Sequence, residues 1–248
     1  MRGRRRARHR DEFGGITNFP FDSVDLSLLA VHPRLIALAE AILRTDDLRI
    51  YTIESWAKYT GAADYRQAHH RDYLNHTPLV PSDAVPFRQL QLFLYLSDVT
   101  VDHGPTHVVS KTVTGRVPAL PHAYLPDERP SWYEAEVAAA GPPGTVLAYS
   151  VDTFHRGSGM RAPGGARYTL MVNFRAGAND WMTRRSWGDR SFEPAWTPFV
   201  ERATPRQLLL FGFPPPGHAF WTDETLSGMV QRYPGLDLTA WGGPSVSR

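Results

Sequence analysis

In Gln89-Leu90-Gln91-Leu92-Phe93-Leu94-Tyr95-Leu96, leucine recurs at every second position. Successive side chains of a β-strand point to opposite faces, so this segment has one wholly aliphatic face and one that presents Gln89, Gln91, Phe93 and Tyr95. The pattern predicts a strand whose outer face is covered and whose inner face lines a polar cavity. An ordinary half-solvated sheet would also alternate, but Phe93 and Tyr95 on the polar side count against it.

Other segments repeat the theme. Arg49 to Tyr59, rich in Ile, Tyr, Thr and Trp, reads as a strand, and Gly61-Ala62-Ala63-Asp64 as the turn that follows. Asp102-His103-Gly104-Pro105 marks a turn before a strand over Thr106 to Val109, and Gly141-Pro142-Pro143-Gly144 a turn before one over Thr145 to Ser150. Gly157, Gly159, Gly164 and Gly165 then connect to a last strand, Arg167 to Phe174. Many short strands divided by Gly and Pro turns predict a mainly β fold, a double-stranded β-helix (jelly roll, cupin-like) core with flanking helices. One helix is predicted over Pro33 to Arg44, packed outside the sheet, with Pro33 in its first turn and Leu35, Leu38 and Ile42 on one face. Two more follow, from Thr204-Pro205 to Gly212 and from Thr222 to Tyr233.

A chain of 248 residues with 42% hydrophobic and 12% aromatic content can bury a full core. The expected organisation is a disordered basic arm over residues 1–12 and a single domain over 13–248, with the barrel core at about 49–176. Arg2, Arg4, Arg5, Arg6, Arg8 and Arg10 hold six of the 27 basic residues, so the rest of the chain carries 21 basic against 25 acidic groups. No basic stripe lies outside the arm, so no nucleic-acid partner is expected. No apolar run of membrane-spanning length and no apolar segment after the basic N-terminus is evident, which predicts a cytoplasmic protein with no membrane partner. Heavy use of Arg, Ala, Pro and Gly fits a GC-rich bacterial source. The absence of cysteine excludes disulfides, thiolate metal sites and cysteine nucleophiles, so any metal must be held by His, Asp, Glu or water.

Gln67-Ala68-His69-His70-Arg71-Asp72 contains a His-x-Asp step, and Asp152-Thr153-Phe154-His155 supplies a distal histidine. Two histidines and a carboxylate can occupy one face of a divalent iron and leave its other positions open. His9-Arg10-Asp11 fits the tripeptide too, but lies in the arm with no strand pattern around it. Arg167, twelve residues beyond His155 on a predicted strand, suggests a dicarboxylate co-substrate. His69 reads as the hydrogen-bonded core member of its pair.

From about Arg49 to Ala176 the chain resembles the phytanoyl-CoA dioxygenase family of Fe(II)- and 2-oxoglutarate-dependent oxygenases. The features that carry the resemblance are Gln67 three residues before His70, His-x-Asp, a strand leading to His103-Gly104-Pro105, Pro143-Gly144-Thr145-Val146-Leu147 before His155, Ser158-Gly159, and the strand that opens at Arg167. The resemblance implies that His70, Asp72 and His155 bind iron, and that Arg167 and Thr169 hold the distal carboxylate of 2-oxoglutarate, with Gln67 and Gln91 nearby. Phe93, Tyr95, Trp56 and Arg161 are the candidate substrate-cavity residues. Met160 stands where family members commonly place Asn, and the arginine falls one residue later than usual, a shift that the Gly164-Gly165 pair absorbs; Arg161 is the alternative anchor.

The activity implied is oxidation of a small molecule, secondary-metabolite or acyl-type, by O2 with release of succinate and CO2. Hydroxylation is the default outcome. Asp72 argues against halogenation, because related halogenases replace that carboxylate with a small residue. Two other classes remain: a non-oxidative metal-dependent cupin isomerase or lyase, which would not require Arg167, and a catalytically silent binding protein that depends on the arm. Three loops are expected to cap the barrel, Asn75 to Pro86, Lys111 to Trp132 and Ala178 to Trp196, the last offering Trp181, Arg184, Arg185 and Trp187 as pocket residues.

Overall fold

The computed structural model describes residues 15–61, 67–72, 76, 79, 82–118, 120–180 and 187–245. The arm, most of the turn after Gly61, and Trp181, Arg184 and Arg185 lie outside them. The strands are β1 (Gly15–Asn18), β2 (Leu48–Tyr59), β3 (His69–His70), β4 (Gln89–Tyr95), β5 (His107–Val108), β6 (Ala123–Tyr124), β7 (Val137–Ala138), β8 (Val146–Ser150), β9 (His155–Arg156) and β10 (Ala166–Ala176). The helices among the described residues are α1 (Val24–Ala30), α2 (Pro33–Leu43), α3 (Lys111–Thr114), α4 (Pro130–Ala135), α5 (Trp187–Arg190), α6 (Trp196–Arg202), α7 (Pro205–Leu209) and α8 (Asp223–Arg232).

Two antiparallel five-stranded sheets form the jelly roll: a major sheet ordered β1-β2-β10-β4-β8 and a minor sheet ordered β6-β3-β9-β5-β7. At the centre of the major sheet, β10 pairs with β2 and β4 in a register that repeats functional residues across three strands. Arg167 stands opposite Lys58; Thr169 opposite Trp56 and Tyr95; Met171 opposite Glu54 and Phe93; Asn173 opposite Thr52 and Gln91. Because cross-strand partners share a face, these residues define the inner side of the sheet. The other face carries Ile53, Leu90, Leu92, Leu94, Leu170, Val172 and Phe174, all buried in the main hydrophobic core. Both sides of β4 are therefore covered, as its alternation predicts.

Helices cover the outer side of the major sheet. His32 caps the start of α2, its Nδ1 accepting from the Arg34 N–H at 3.2 Å, while Pro33 takes the first turn where no N–H is needed. The helix stops at Arg44, whose backbone is left-handed. Its buried residues are Leu35, Ile36, Ala39 and Leu43, whereas Ile42, expected on the packed face, is exposed. The buried stripe is rotated by about one position, with Ile36 and Ala39 joining Leu35 and Leu43 in the core. Val24–Leu43 is long and apolar enough to cross a membrane by composition, but it is broken between α1 and α2 and its side chains Ala30, Val31, Leu35 and Leu43 fill the core. Gln207 completes a capping box with Thr204 at the start of α7 and donates its Nε2 to the Val31 carbonyl at 2.8 Å, tying the C-terminal helices to the α1–α2 corner.

Two of the expected capping loops behave differently. Lys111 to Trp132 forms α3, β6 and the start of α4, and packs Tyr124 and Trp132 against Val109 and Phe154 on the back of the minor sheet. Apolar side chains at Tyr124 and Trp132 drive it there, away from the barrel mouth. Trp187 joins an aromatic cluster with Phe19, Trp196 and Phe211 and donates its indole N–H to the Ile50 carbonyl at 3.2 Å.

Phe19 is the hub of that cluster, with its ring 4.9–6.1 Å from those of Phe21, Trp187, Trp196, Phe199 and Phe211. Phe19→Ala is expected to cost about 3–5 kcal/mol of stability, measured as a lower urea midpoint with an unchanged slope.

Candidate metal centre

Three side chains from separate places in the sequence meet on the inner face of the minor sheet. β3 and β9 pair antiparallel through a single residue pair, His70 opposite His155, and the turn after β3 delivers Asp72 beneath both. One ligand atom from each of His70, Asp72 and His155 lies within 4.8 Å of the others. The Asp72 carboxylate faces both rings, Oδ1 at 3.5 Å from His70 Nε2 and Oδ2 at 3.3 Å from His155 Nε2.

Backbone carbonyls fix which nitrogen each imidazole presents. His70 Nδ1 lies 3.0 Å from the Ala68 carbonyl and His155 Nδ1 lies 3.0 Å from the Thr153 carbonyl. A carbonyl only accepts, so both Nδ1 atoms carry a proton and each ring presents Nε2 to Asp72, where an Nε2–H donates to the carboxylate and a metal would take the place of that proton. This is how metal-binding histidines are usually oriented. Burial opposes the charged form of Asp72, but His155 and His70 outweigh it and hold the carboxyl well below the usual carboxylate range. It is ionised and ready to bind a cation at neutral pH.

Beside the triad, Tyr149 of β8 places its hydroxyl 3.5 Å from His155 Nε2 and stacks on Phe93, with ring centroids 6.0 Å apart. Trp56 meets Phe93 edge-on at 6.1 Å and donates its indole N–H to Glu54 at 2.9 Å. Tyr95 donates its hydroxyl to the Ala139 carbonyl. Gln91 is buried with its Nε2 3.2 Å from His76 Nδ1, and its Oε1 has no hydrogen-bond partner among the described residues. Gln67 accepts from the Gly157 N–H at 2.8 Å, which clips the segment before β3 to the segment after β9.

Further along the same interior stands a pair of buried cations. Arg167 and Lys58, at 5% and 1% exposure, are cross-strand partners. Arg167 donates to the Gly104 carbonyl and Lys58 to the Ser158 carbonyl. Those carbonyls belong to two loops that cross in contact: a Cβ on Gly104 would meet the Ser158 oxygen at 2.7 Å, at a backbone φ of +61°. Only glycine fits there. Next to Arg167, the Thr169 hydroxyl is buried with no hydrogen-bond partner among the described residues. Burial, with a smaller contribution from Arg167, pulls the Lys58 pKa down to about 7. Arg161, the alternative anchor, is exposed in the loop between β9 and β10, beside a cavity of about 840 Å³ shared with His107, Glu136 and Arg156.

Lys58 was not anticipated, although Thr52, Glu54, Trp56 and Lys58 fall on alternate positions of β2 and the period-2 rule applied to that strand puts all four on one face. Tyr149 is on the same footing in β8. His69, expected in the core, is fully buried with Nε2 2.7 Å from Glu136, and burial lowers its pKa to about 4.

The model of the phytanoyl-CoA dioxygenase family matches residues 4–168, two thirds of the sequence. The chain belongs to that family. Fe(II) and 2-oxoglutarate are the cofactors of the family and of this chain. The residues present suit both groups, since a two-histidine, one-carboxylate face with prealigned nitrogens suits Fe(II), and two cations with an unsatisfied hydroxyl suit a carboxylate anion. No curated protein matches the chain by sequence. Among solved structures, the non-haem α-ketoglutarate-dependent epimerase SnoN from nogalamycin biosynthesis is 21% identical, with a TM-score of 0.51 over 64% of this chain and 60% of that one. Its complex with Fe3+, α-ketoglutarate and nogalamycin RO gives a TM-score of 0.50 at 21% identity, over 64% and 62% of the two chains. EvdO2 from Micromonospora carbonacea var. aurantiaca gives 0.49 at 18% identity, over 68% and 72%. This chain thus spans about 60% of the length of SnoN, and the likeness is one of fold.

Arg71, between His70 and Asp72, points to the back of the minor sheet. Its guanidinium lies 4.5 Å from the Phe154 ring centroid and donates to the carbonyls of Pro118 and Pro121. Arg71→Ala removes a buried guanidinium with its hydrogen bonds to those carbonyls and its stacking on Phe154, and is expected to cost about 1–3 kcal/mol by urea unfolding.

Proposed function

We propose that this protein oxidises a C–H bond of a small-molecule substrate at an iron held by His70, Asp72 and His155, consuming 2-oxoglutarate and O2. The observation that carries the reading is the convergence of both Nε2 atoms and the Asp72 carboxylate on one point, inside a barrel that also buries Arg167 beside Lys58. Three protein ligands on one face leave positions for a keto-acid chelate and for oxygen, and the bound iron supplies the oxidation of 2-oxoglutarate to succinate and CO2.

The chain's own groups divide the remaining work. Arg167 and Lys58 bind the distal carboxylate of 2-oxoglutarate, and the Thr169 hydroxyl donates the hydrogen bond that its own surroundings leave unmade. The crossing loops at Gly104 and Ser158 hold both cations by their carbonyls, so the anchor is set before the co-substrate arrives. Phe93, Tyr149, Trp56 and Met171 form an apolar belt that keeps water from the reacting carbon. Gln91, with one amide atom unmet, is positioned to bond the co-substrate or a polar group of the substrate. Gln67 serves the site from behind, through Gly157.

Hydroxylation is the outcome proposed, on a secondary-metabolite or acyl-type substrate. Asp72 fills the position that a halide would need. The same C–H activation can end in epimerisation, the activity named for SnoN; a hydroxylated product is one oxygen atom heavier and an epimer is not, so product mass separates the two.

Anaerobic titration with Fe(II) and then 2-oxoglutarate is expected to raise a visible charge-transfer band that His70→Ala abolishes and Arg167→Ala weakens by about 10–100-fold in 2-oxoglutarate affinity. Absence of the band in wild type would remove the oxygenase reading and favour a non-oxidative cupin.

Lys58 adds a pH dependence. Its folded pKa of about 7 is below the free value of 10.5, and binding a carboxylate restores the charged form. Above pH 7 binding therefore takes up a proton, and the 2-oxoglutarate dissociation constant is expected to rise with pH by up to about tenfold per unit. Below pH 7 the ammonium is already charged and the slope vanishes. Lys58→Met is expected to remove the slope; a slope that survives would assign the proton elsewhere.

A further inference from the structure

On the back of the minor sheet, behind the two histidines, one carboxylate bonds both strands that carry them. Alternation puts His69 and Arg156 on the outer face because His70 and His155 face inward, and the antiparallel register sets His69 across from Arg156. Glu136, the residue after α4, binds both. His69 Nε2 lies 2.7 Å from Oε2, the Arg156 Nε–H donates to the same oxygen at 2.7 Å, and a terminal N–H of Arg156 donates to Oε1. His107 Nε2, on the next strand β5, stands 3.9 Å from Oε1. α4 adds Tyr133, whose hydroxyl accepts from the His69 N–H at 3.0 Å and donates to the Tyr124 carbonyl of β6 at 2.8 Å.

The backbone gives these strands little else. β3 and β9 are two residues long and share one residue pair, so main-chain hydrogen bonds alone fix their separation poorly. The imidazoles they carry nevertheless sit 4.5 Å apart, centroid to centroid, at 50°.

We infer that Glu136 is a positioning residue of the metal centre: its carboxylate clamps His69 to Arg156 across the backs of β3 and β9 and thereby sets the spacing of His70 and His155. A forked, ionised acceptor can hold a planar guanidinium on two bonds and an imidazole on a third, which fixes direction as well as distance. His69 is fully buried, at 0% side-chain exposure, and Glu136 and Arg156 are each 11% exposed at the wall of the cavity they share with His107 and Arg161. Arg71 serves a different contact, its guanidinium donating to the carbonyls of Val117, Pro118 and Pro121 in the segment before β6. The inference rests on the reading of His70 and His155 as metal ligands.

The test uses Co(II) alone, anaerobically, with the visible d–d bands reporting both affinity and coordination. Wild type is expected to bind and His70→Ala to fail. Glu136→Ala is expected to bind about 10–100-fold more weakly with altered band intensities, and Glu136→Gln, which keeps one acceptor oxygen, to recover part of both. Val200→Ala, a buried substitution in α6, controls for lost stability and is expected to bind as wild type. Wild-type affinity and bands in Glu136→Ala would overturn the clamp and leave the metal reading standing. An equal loss in Val200→Ala would overturn it too, by showing general destabilisation. If Glu136→Ala does not fold, Glu136→Gln decides alone, and unchanged bands sink the idea. Failure of wild type to bind Co(II) would remove the metal reading and the clamp together.

Discussion

Alternation along β2, β4 and β10 is the constraint from which the rest of the molecule follows. Each of these strands is apolar outward, where it buries a core beneath the helices, and chemically varied inward, where Lys58, Arg167, Thr169, Gln91 and Asn173 line the barrel. A one-residue slip in any of them would exchange the two sets, bringing Leu92 and Val172 into the barrel and sending Gln91 and Asn173 into hydrocarbon. The apolar outer face is therefore what locks the register of the inner one. The long β10, paired on both edges, carries that register from Arg167 at one end of the barrel to Asn173 at the other.

The two sheets divide the labour unequally. The major sheet has long strands and a large core, and can tolerate Lys58 and Arg167 side by side. The minor sheet has strands of two residues and cannot be held by its ladders. It is held by side chains on its back instead: Arg71 to the carbonyls of Pro118 and Pro121, Tyr133 to His69 and Tyr124, and Glu136 to His69 and Arg156. The segment from Lys111 to Glu136 thus packs behind the strands that carry His70 and His155 rather than forming a lid over them.

This explains what the sequence made legible. Residues 89–96 revealed a two-faced strand because a covered face of leucine is periodic, and His70, Asp72 and His155 could be picked out because their residue types and spacing are restricted by coordination chemistry. Lys58 was legible in principle from the same period along β2. Glu136 was not: it meets His69 across 67 residues of chain, and nothing local distinguishes it from the exposed Glu134 two residues earlier. The packed face of α2 was misjudged by one position because helical periodicity gives a stripe and only the sheet beneath selects which edge of that stripe is buried.

The buried cations carry a thermodynamic argument of their own. An ammonium and a guanidinium facing one another in a dry interior repel, and both lose hydration; the fall of the Lys58 pKa to about 7 is the signature of that cost. A fold selected for stability alone would not keep Lys58 there, since a methionine would fill the same space without charge. Backbone carbonyls at Gly104 and Ser158 offset part of the cost, and each is supplied by a loop whose approach requires glycine at position 104. On the proposed reading, the distal carboxylate of 2-oxoglutarate would bring a negative charge between the two cations, which favours a co-substrate with a second carboxylate over a keto acid that lacks one.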